Sequence, residues 1–448
     1  MPEYKIPTNA QEFEQNFSQL KPLMKKNEAT YESSRCLFCF DAPCIKACPT
    51  GIDIPLFIRQ INDGNTTGAA RTIYEANYFG NACGKVCPTE VLCEGACVYN
   101  LQDVKPIEIG RLQSFATHTV LDTDKKLFSP GPEKGKKVAV IGAGPAGISC
   151  ACELRAQGFE VDIYEGRAKP SGLTYYGVAP YKITDGEAMV EMNWLQSQFG
   201  YSVFYETPIQ SKADLDRLEE KYDAVFIAIG LGKTGTLGIP GEDKDNCVGA
   251  VEFIEELRMR RHQVCIAKTV VVLGGGNTAM DAASESARLG AEHVVLAYRR
   301  AKEEMGAYNF EYDLVKGAGV EGLFNAAPLE ILGNGRVTGV KFIKTELVGN
   351  SLKSMPGTEF IINCDLVIKA TGQQKQVGFL ELIPGLNLDS KGRIIADPLT
   401  MQTANPKYFA AGDALNGGAE VVNAAAEGKA AAFGIAAYLK GNGAVQTV

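Results

Sequence analysis

The segment VAVIGAGPAG (138–147) joins an apolar run to the helical pattern ISCACELRAQG (148–158). It contains Gly142, Gly144 and Gly147 in a G-x-G-x-x-G arrangement. In such a turn the first glycine allows the tight bend, the second lets the backbone approach a pyrophosphate, and the third lets the helix pack closely. The arrangement therefore predicts a strand, a phosphate-binding turn and a helix.

Two further features favour a dinucleotide at this turn over a glycine-rich turn without a ligand. Pro145 and Ala146 complete it, so that a phosphate would sit at the N-terminus of the helix. The next apolar run, FEVDIYE (159–165), ends in Glu165, about 20 residues downstream. A carboxylate at that position accepts hydrogen bonds from ribose hydroxyls.

A second turn of the same kind lies in TVVVLGGGNTAMDAA (269–283) and follows the Gly/Ala variant of the pattern. Its predicted cofactor contacts are Gly274, Gly276, Asn277, Thr278 and Ala279. The next strand, HVVLAYRR (293–300), carries no acid like Glu165 but ends in Arg299 and Arg300. Because arginine there suits a 2′-phosphate, the pair favours NADPH, with a solvated arginine pair as the alternative.

Near the C-terminus, YFAAGDA (408–414) resembles the second FAD signature of flavoproteins with two dinucleotide domains. We expect Gly412 and Asp413 to lie near FAD, although aspartate also commonly caps helices. The runs that end in AIG (228–230) and ATG (370–372) resemble the crossover motifs of the same superfamily. Gly230 and Gly372 are therefore further predicted cofactor contacts.

The chain has 13 cysteines, eight of them between positions 36 and 97. They are Cys36, Cys39, Cys44, Cys48, Cys83, Cys87, Cys93 and Cys97. The first four read C-x2-C-x4-C-x3-C-P, close to a ferredoxin run. Two all-cysteine zinc sites are the alternative, but the block has only one C-x2-C pair, so 4Fe-4S clusters are favoured. Counting thiols alone, eight cysteines would fill two clusters.

Composition limits the remaining possibilities. The formal net charge is −8, which argues against general nucleic-acid binding. The longest apolar candidate near the C-terminus is interrupted by Glu427 and Lys429, and the first residues lack a secretory pattern, so we expect no membrane association and a cytoplasmic protein.

The stretch SPGPEKGKK (129–137) is a predicted linker. The predicted fold is an α-helical N-terminal Fe-S domain followed by an α/β flavoprotein with two Rossmann-like dinucleotide-binding domains. We expect the helical domain at 1–130, a discontinuous FAD domain at 131–248 and 374–448, and the NAD(P)H domain at 249–373.

Together these motifs resemble the N-terminal portion of dihydropyrimidine dehydrogenase, its free-standing bacterial counterpart, and the small subunit of glutamate synthase. The resemblance implies one cluster held by Cys36, Cys39, Cys44 and Cys97. It implies a second cluster held by Cys48, Cys87, Cys93 and Gln113. Gln113 comes from the segment IGRLQSFAT (109–117) and leaves Cys83 spare. The segment SGLTYYGVAP (171–180) loosely matches the family's loop over the flavin, which makes Gly172 and Leu173 expected contacts.

The resemblance implies an electron-input subunit that passes electrons from NAD(P)H through FAD and two 4Fe-4S clusters to an FMN-containing catalytic subunit acting on uracil or thymine. We expect a hetero-oligomer, and no catalytic acid or base, because hydride transfer to flavin depends on positioning. The alternatives are a glutamate synthase small subunit, a stand-alone NAD(P)H oxidoreductase, and a zinc-containing assembly protein. A disulfide reductase is disfavoured because Cys150 and Cys152 are two positions apart on a helix.

Overall fold

A computed structural model describes residues 4–349 and 351–441, and the chain divides into two compact units. The smaller unit contains residues 4–19, 176–181 and 232–374, apart from residue 350. The larger unit contains residues 20–175, 182–231 and 375–441. No helix in the described part of the chain combines the length and the apolar character that crossing a bilayer would require.

The N-terminal region consists of short helices. They are α1 (Ala10–Asn16) in the smaller unit and, in the larger unit, α2 (Lys26–Ser34), α3 (Pro43–Lys46), α4 (Ile54–Asn62), α5 (Thr66–Ala76), α6 (Gly80–Val86) and α7 (Ile109–Leu121), with a 3-10 helix at Val98–Gln102. Asp53 and Asn65 start α4 and α5 because their side chains accept the N–H groups of Leu56 and Gly68.

The apolar faces of α4, α5 and α7 form one hydrophobic core. Phe57, Ile73 and Leu112 are fully buried in it. Several cysteines of the N-terminal block pack against this core, namely Cys36, Cys44, Cys48, Cys93 and Cys97. The core therefore supports the loops that carry the thiols, which would be too irregular to hold their shape alone.

The sheet of the larger unit has five parallel strands in the order β14-β4-β1-β2-β3. The strands are β1 (Lys137–Ile141), β2 (Glu160–Tyr164), β3 (Ser202–Phe204), β4 (Ala224–Ile227) and β14 (Tyr408–Ala410). The helices around it are α8 (Pro145–Ala156), α9 (Leu173–Tyr176, whose last residue belongs to the smaller unit), α10 (Asp185–Phe199), α11 (Lys212–Lys221), α15 (Val377–Leu380), α16 (Asp413–Asn416) and α17 (Val421–Leu439). The predicted alternation of strands and helices around a parallel sheet is confirmed.

The packing of α17 on α8 requires glycine at one position. A Cβ atom on Gly428 would lie 2.1 Å from the carbonyl oxygen of Ala146, so no larger residue fits there. The long C-terminal helix is thereby held against the first turn of α8, where the first glycine-rich segment begins its helix.

The smaller unit has a second parallel sheet, in the order β5-β13-β6-β7-β8, and an antiparallel sheet. The parallel strands are β5 (Cys247–Gly249), β6 (Thr269–Leu273), β7 (His293–Ala297), β8 (Glu321–Leu323) and β13 (Leu366–Lys369). The antiparallel strands are β9 (Ala326–Leu332), β10 (Gly339–Val348), β11 (Ser351–Ser354) and β12 (Phe360–Asn363). The helices are α12 (Ala250–Arg260), α13 (Asn277–Arg288) and α14 (Asn309–Gly317), with 3-10 helices at Arg261–Gln263 and Lys302–Glu304.

The first residues of the chain pack on α13 in this smaller unit. Asn16 Nδ2 donates to the carbonyl oxygen of Arg288 at 2.7 Å, and Arg288 Nη1 donates to the carbonyl oxygen of Asn16 at 2.6 Å. The Arg288 guanidinium also lies 5.2 Å from the ring centroid of Tyr4. These contacts explain why residues 4–19 group with the second parallel sheet.

Candidate cofactor sites

The first glycine-rich turn has the backbone that its sequence requires. Gly142 has a φ of +104°, and a Cβ atom there would lie 2.4 Å from the carbonyl oxygen of Ala228. A Cβ on Gly147 would lie 2.0 Å from the carbonyl oxygen of Gly142. Only glycine fits at either position, so the turn closes tightly between β1 and α8.

The middle of this turn is open. Gly144 caps α8, and no atom of another residue lies within 4 Å of the place where its Cβ would be. Pro145 occupies the first position of the helix, where its missing N–H costs nothing, and Ala146 is buried behind it. The free amides of a 12-residue helix thus face an open space, which suits a pyrophosphate.

Glu165 is held beside this turn at the end of β2. Its Oε2 accepts the Ala143 N–H at 2.8 Å, and its Oε1 accepts the Arg167 N–H at 2.8 Å. An ionised carboxylate has about four acceptor positions, so two hydroxyl groups of a ribose can still be bound. This geometry suits the predicted ribose contact.

The segment that contains Gly172 and Leu173 lies against the same turn. The Ser171 N–H donates to the carbonyl oxygen of Ala143 at 2.7 Å, and a Cβ on Gly172 would lie 3.1 Å from Gly144 Cα. Leu173 begins α9. Ser171 has a φ of +80°, which is unusual for a residue with a side chain.

Two hydroxyl groups in this segment were missed by the sequence analysis. Ser171 Oγ and Thr174 Oγ1 are buried and have no hydrogen-bond partner among the described residues. Buried polar groups are nearly always satisfied by protein, water or ligand. Unpaired hydroxyls beside an open phosphate turn therefore fit a polar cofactor such as FAD.

The turn at Gly412 and Asp413 packs against the start of α8, the helix that follows the first glycine-rich turn. Gly412 has a φ of +72°, and a Cβ there would lie 3.2 Å from Ala146 Cβ. Asp413 Oδ1 accepts the Ala419 N–H at 3.1 Å, and burial raises the pKa of Asp413 above its ordinary value. The side chain therefore has a structural bond and remaining acceptor capacity for a ligand hydroxyl.

Glu427 supports this second turn, although in the sequence it was only an interruption of an apolar run. Its Oε2 accepts the Gly412 N–H at 2.7 Å, and its two oxygens accept from Asn416 Nδ2 at 3.1 and 3.2 Å. Burial raises the pKa of Glu427 above its ordinary value. Its contact with the Gly412 turn could be recognised only from the fold.

The two predicted crossover glycines each follow a strand of their own sheet. Gly230 follows β4 with a φ of +60°, and Gly372 follows β13 with a φ of +87°. A Cβ atom added to either glycine would have no neighbouring atom within 4 Å. Both are backbone turns with free space beside them, as expected at the carboxyl ends of parallel strands where ligands bind.

The second glycine-rich turn repeats the first one in the smaller unit. Gly274 has a φ of +156°, and a Cβ there would lie 2.4 Å from the carbonyl oxygen of Ala370. Gly276 caps α13 and is open, like Gly144. Asn277 Oδ1 accepts the Tyr308 N–H at 3.1 Å.

The remaining two residues of this turn lie in the first turn of α13. Ala279 is fully buried against the sheet, while Thr278 precedes it in the helix. A small residue at the Ala279 position allows the close helix packing that the third glycine provides in the first turn.

Arg299 and Arg300 lie directly beyond β7. Arg299 is exposed and Arg300 is half-buried. Arg300 Nε has no hydrogen-bond partner within residues 4–349 and 351–441, and neither guanidinium forms an ion pair with a carboxylate of these residues. A cationic pair at the end of the second strand can therefore bind a phosphate without first breaking an ion pair.

The cysteines form two groups in the larger unit. The first group lines a small cavity of about 30 Å³, and its members are Cys36, Cys39, Cys44 and Cys97. Burial raises the pKa of Cys44 to about 12, with further contributions from the neighbouring Cys36 and Cys97 thiols. The apolar residues Ile54 and Ile58 also line this cavity.

The second group contains Cys48, Cys87 and Cys93. Burial raises the pKa of Cys93, and the neighbouring Cys87 and Cys48 thiols add to that effect. No three His, Cys, Asp or Glu side chains in the described ranges lie as close together as the ligands of one metal ion. Such closeness is not needed in a 4Fe-4S cluster, because each thiolate binds a different iron.

The two candidates for the eighth ligand lie on α6 and α7, which pack against each other. Cys83 lies one helical turn before Cys87, and the neighbouring Cys83 thiol raises the pKa of Cys87, as does burial. Gln113 on α7 is buried, and its Nε2 donates to the carbonyl oxygen of Gly80 at 2.6 Å. The choice between Cys83 and Gln113 stays a prediction.

The comparisons with known proteins agree with this geometry. Residues 13–125 match the family described as dihydropyrimidine dehydrogenase domain II, 4Fe-4S cluster. Residues 136–428, more than half of the chain, match the pyridine nucleotide-disulphide oxidoreductase family. The chain belongs to this family. The predicted set of cofactors, FAD, NAD(P)H and 4Fe-4S clusters, is therefore confirmed.

Two relatives from Escherichia coli (strain K12) match nearly the whole chain. One is the glutamate synthase (NADPH) small chain, 34% identical over 446 residues that cover 95% of this chain and 94% of the relative. The other is the NAD-dependent dihydropyrimidine dehydrogenase subunit PreT, 34% identical over 430 residues that cover 96% and 98%. The predicted resemblance is confirmed, and both relatives are subunits of larger enzymes.

Solved structures confirm the predicted flavoprotein fold. Mycobacterium tuberculosis FprA in complex with NADPH has a TM-score of 0.56 at 19% identity and covers 70% of this chain and 87% of its own. The thioredoxin reductase of T. acidophilum has a TM-score of 0.53 at 23% identity and covers 68% and 99%. At these identities the likeness concerns the fold alone. The chain is an NAD(P)H-dependent flavoprotein oxidoreductase.

A buried carboxyl on α10 holds the segment that precedes Cys87. Tyr74 Oη donates to Oε1 of Glu191 at 3.0 Å. The Asn81 and Ala82 N–H groups donate to its two oxygens at 2.6 and 3.0 Å. Burial raises the pKa of Glu191 to about 7, against the effect of these hydrogen bonds. The flavoprotein helix α10 thereby fixes the start of α6.

We expect Glu191→Gln to change the pH dependence of stability. The pKa of Glu191 is about 7 in the folded protein, against an ordinary value of 4.5. Its protonated form therefore contributes its full stability to the fold below pH 4.5, and this stability is lost as the pH rises through about 7. The change is worth about 3 kcal/mol. The variant should therefore gain stability relative to the wild type between about pH 5 and about pH 7.5, measured by urea unfolding.

Glu187, one turn earlier on α10, is the matched control. Burial opposes its ionisation, but Lys85, whose Nζ lies 2.5 Å from Glu187 Oε1, and Thr184 lower the pKa of Glu187 below its ordinary value. The ionised Glu187 contributes its full stability to the fold above its ordinary pKa. Glu187→Gln should therefore change the free energy of unfolding by a constant amount over the same pH range. A constant difference for Glu191→Gln as well would contradict the protonation of Glu191.

Proposed function

We propose that this chain is the electron-input subunit of a dihydropyrimidine dehydrogenase-type complex. It would pass electrons from NAD(P)H through FAD and two 4Fe-4S clusters to an FMN-containing partner subunit. That partner would interconvert uracil or thymine and their 5,6-dihydro forms. The chain and the partner would form a hetero-oligomer, as the names of the two E. coli relatives suggest for those proteins.

The observation that carries this proposal is the connection between one cysteine group and the flavin turn inside the larger unit. Tyr78 Oη donates to Glu153 Oε2 at 2.9 Å, and Glu153 lies on α8, the helix that begins at Gly144. Tyr78 and Glu191's partner Asn81 both belong to the segment that leads into Cys87. The cluster of Cys48, Cys87 and Cys93 would therefore be the one nearer to FAD.

The residues of the chain would bind and orient the cofactors and would not transfer protons. Bound FAD accepts a hydride and releases electrons singly, which is the chemistry that clusters need. Glu165 and Asp413 would hold the hydroxyl-bearing parts of FAD, and Gly144 would leave room for its pyrophosphate. Gly276 would leave room for the pyrophosphate of the nicotinamide nucleotide, and Arg299 and Arg300 would bind its 2′-phosphate.

Gln113 supports the pyrimidine branch of the family. The segment GRLQ (110–113) resembles the one that supplies a glutamine ligand in dihydropyrimidine dehydrogenases. Its side chain is buried beside α6, as a ligand of the second cluster must be. The glutamate synthase branch more often has an acidic segment at this position.

A glutamate synthase small subunit is the second candidate, and the arginine pair favours it. The E. coli glutamate synthase relative is named for NADPH, whereas the PreT relative is named for NAD. Arg299 and Arg300, free of carboxylate partners among the described residues, suit the 2′-phosphate of NADPH. Its partner would be a large amidotransferase subunit instead of a pyrimidine-reducing one.

A disulfide reductase function has less support. Cys150 and Cys152 on α8 are both fully buried, and burial raises the pKa of each thiol. A thiol that exchanges with a substrate disulfide needs access and a thiolate form. A stand-alone NAD(P)H oxidoreductase remains compatible with the cofactor sites alone.

We expect the purified chain, loaded with FAD and clusters, to oxidise NAD(P)H with ferricyanide and to leave uracil unchanged. Ferricyanide accepts single electrons from any exposed centre, whereas the pyrimidine needs the partner's FMN. The measurement is loss of absorbance at the nicotinamide band, with uracil followed by chromatography. Reduction of uracil by the chain alone would contradict the proposal.

The two candidates are separated by adding partners. An FMN-containing dihydropyrimidine dehydrogenase-type subunit should restore NAD(P)H-dependent uracil reduction, and a glutamate synthase large subunit should give no glutamate formation. The opposite pattern would establish the second candidate. The ferricyanide reaction checks in each mixture that the input chain itself is active.

A further inference from the structure

A lysine near the start of the larger unit binds the turn that follows Cys87. Lys21 lies between α1 and α2, and its Nζ donates to the carbonyl oxygen of Cys87 at 3.0 Å and to Thr89 Oγ1 at 2.7 Å. Its side chain is 17% exposed. These two acceptors are uncharged, so they fix the ammonium group without neutralising it.

The nearest carboxylate of Lys21 is a weak partner. Glu90 Oε2 lies 3.9 Å from Lys21 Nζ, and the Glu90 side chain is 41% exposed. Ion pairs in contact with solvent at such distances contribute little. The positive charge of Lys21 therefore acts mainly on the groups behind it, which include Cys87 and the carboxyl group of Glu94.

The Lys21 ammonium group lies beside a ligand of the second cluster, because its Nζ is bound to the carbonyl oxygen of Cys87. The reduction potential of a 4Fe-4S cluster depends on the net charge, hydrogen bonds and solvent exposure around it. A fixed ammonium group next to one ligand changes the first of these quantities, the net charge around the cluster.

We propose that Lys21 raises the reduction potential of the 4Fe-4S cluster held by Cys48, Cys87 and Cys93. The step concerned is the gain of one electron by the oxidised cluster, with reduced flavin as the donor. The added electron makes the cluster more negative, and a nearby cation stabilises that state more than the oxidised one. Electron transfer from the flavin to this cluster thereby becomes more favourable.

The inference rests on the cofactors and on the thiol group, not on the identity of the partner subunit. Its test is a potential, which can be measured without partner or pyrimidine, so that a wrong assignment of the partner leaves it standing. Conversely, a correct partner assignment does not depend on the charge of Lys21.

The experiment compares three substitutions of Lys21 in the holoprotein by EPR-monitored redox titration. Lys21→Met removes the charge, and Lys21→Gln removes it but keeps a donor for Cys87 and Thr89. Lys21→Arg keeps the charge. We expect both uncharged variants to shift the ratio of reduced to oxidised cluster at a given potential roughly tenfold toward the oxidised form, about 59 mV for one electron.

Lys21→Arg and the exposed Lys26→Met should titrate like the wild type, and the shift should affect only one of the two cluster signals. An unchanged potential in Lys21→Gln at full iron content would overturn the proposal. Loss of iron in both uncharged variants would show that Lys21 holds the turn together, and the tuning role would then fail.

Discussion

Replacing Arg299 and Arg300 together by alanine should weaken NADPH binding at least about tenfold and leave NADH binding nearly unchanged. Hydrogen bonds to a charged group are worth about 1.5–3 kcal/mol, and each guanidinium can donate several to a 2′-phosphate. NADH lacks that phosphate, so it loses none of these bonds. The structure supports the expectation because Arg300 Nε has no partner in the described part of the chain.

Dissociation constants from flavin-fluorescence titrations with both nucleotides provide the measurement. Lys268→Ala is a suitable control, since Lys268 is an exposed cation of the same unit that pairs with Glu292 at 3.2 Å. It should change neither constant. Equal weakening of both nucleotides by the arginine substitutions, or a wild type that already prefers NADH, would contradict the prediction.

The outcome also bears on the choice between the two candidate functions. A strong preference for NADPH that depends on Arg299 and Arg300 would bring the chain closer to its glutamate synthase relative, whose name specifies NADPH. It would not exclude a pyrimidine partner, because the electron route from FAD onward is the same for either nucleotide. Nucleotide choice and partner choice are therefore separate measurements.

The turns could be predicted from the sequence because their chemistry is local. Gly142 and Gly147 are needed where a Cβ would collide with a carbonyl oxygen within the same strand–turn–helix or the adjoining strand. For Gly147 the motif contains that requirement in full, because the carbonyl oxygen belongs to Gly142, whereas Gly142 and Gly274 meet carbonyl oxygens of Ala228 and Ala370. The motif nevertheless predicts both turns, because its glycines are spaced as a phosphate-binding turn requires.

The supporting residues could not be predicted, because their partners are far away in the chain. Glu191 binds amides more than 100 positions earlier, and Lys21 binds a carbonyl 66 positions later. Glu427, on an apolar helix, looked like an interruption and not a ligand of the Gly412 turn. A buried charge is recognisable only once the fold shows what it is buried against.

The cysteine groups could be predicted from the sequence only in part. Spacing predicted clusters, but the division into two groups came from the family resemblance, and the structure groups Cys44 with Cys36 and Cys97, and Cys93 with Cys87 and Cys48. Thiol counting alone cannot choose among the eight cysteines, since loops bring together residues far apart in sequence. One ligand position remains to be decided by experiment.

We expect Gln113→Ala to lose the second cluster, and with it about half of the bound iron, while Cys83→Ser keeps full iron. Gln113 Nε2 is bound to the carbonyl oxygen of Gly80, which fixes the orientation of the amide. Iron analysis and reduced-state EPR of both variants provide the measurement.

Cys83 is the competing candidate, because it lies one helical turn from Cys87 and a thiolate binds iron more strongly than an amide oxygen does. A cluster with Gln113 in place of a thiolate carries one negative charge less, so its potential and EPR signal differ from those of an all-cysteine cluster. Full iron and an unaltered spectrum in Gln113→Ala, together with loss in Cys83→Ser, would assign the ligand to Cys83. A neutral glutamine ligand, like the ammonium group of Lys21, would make this cluster easier to reduce.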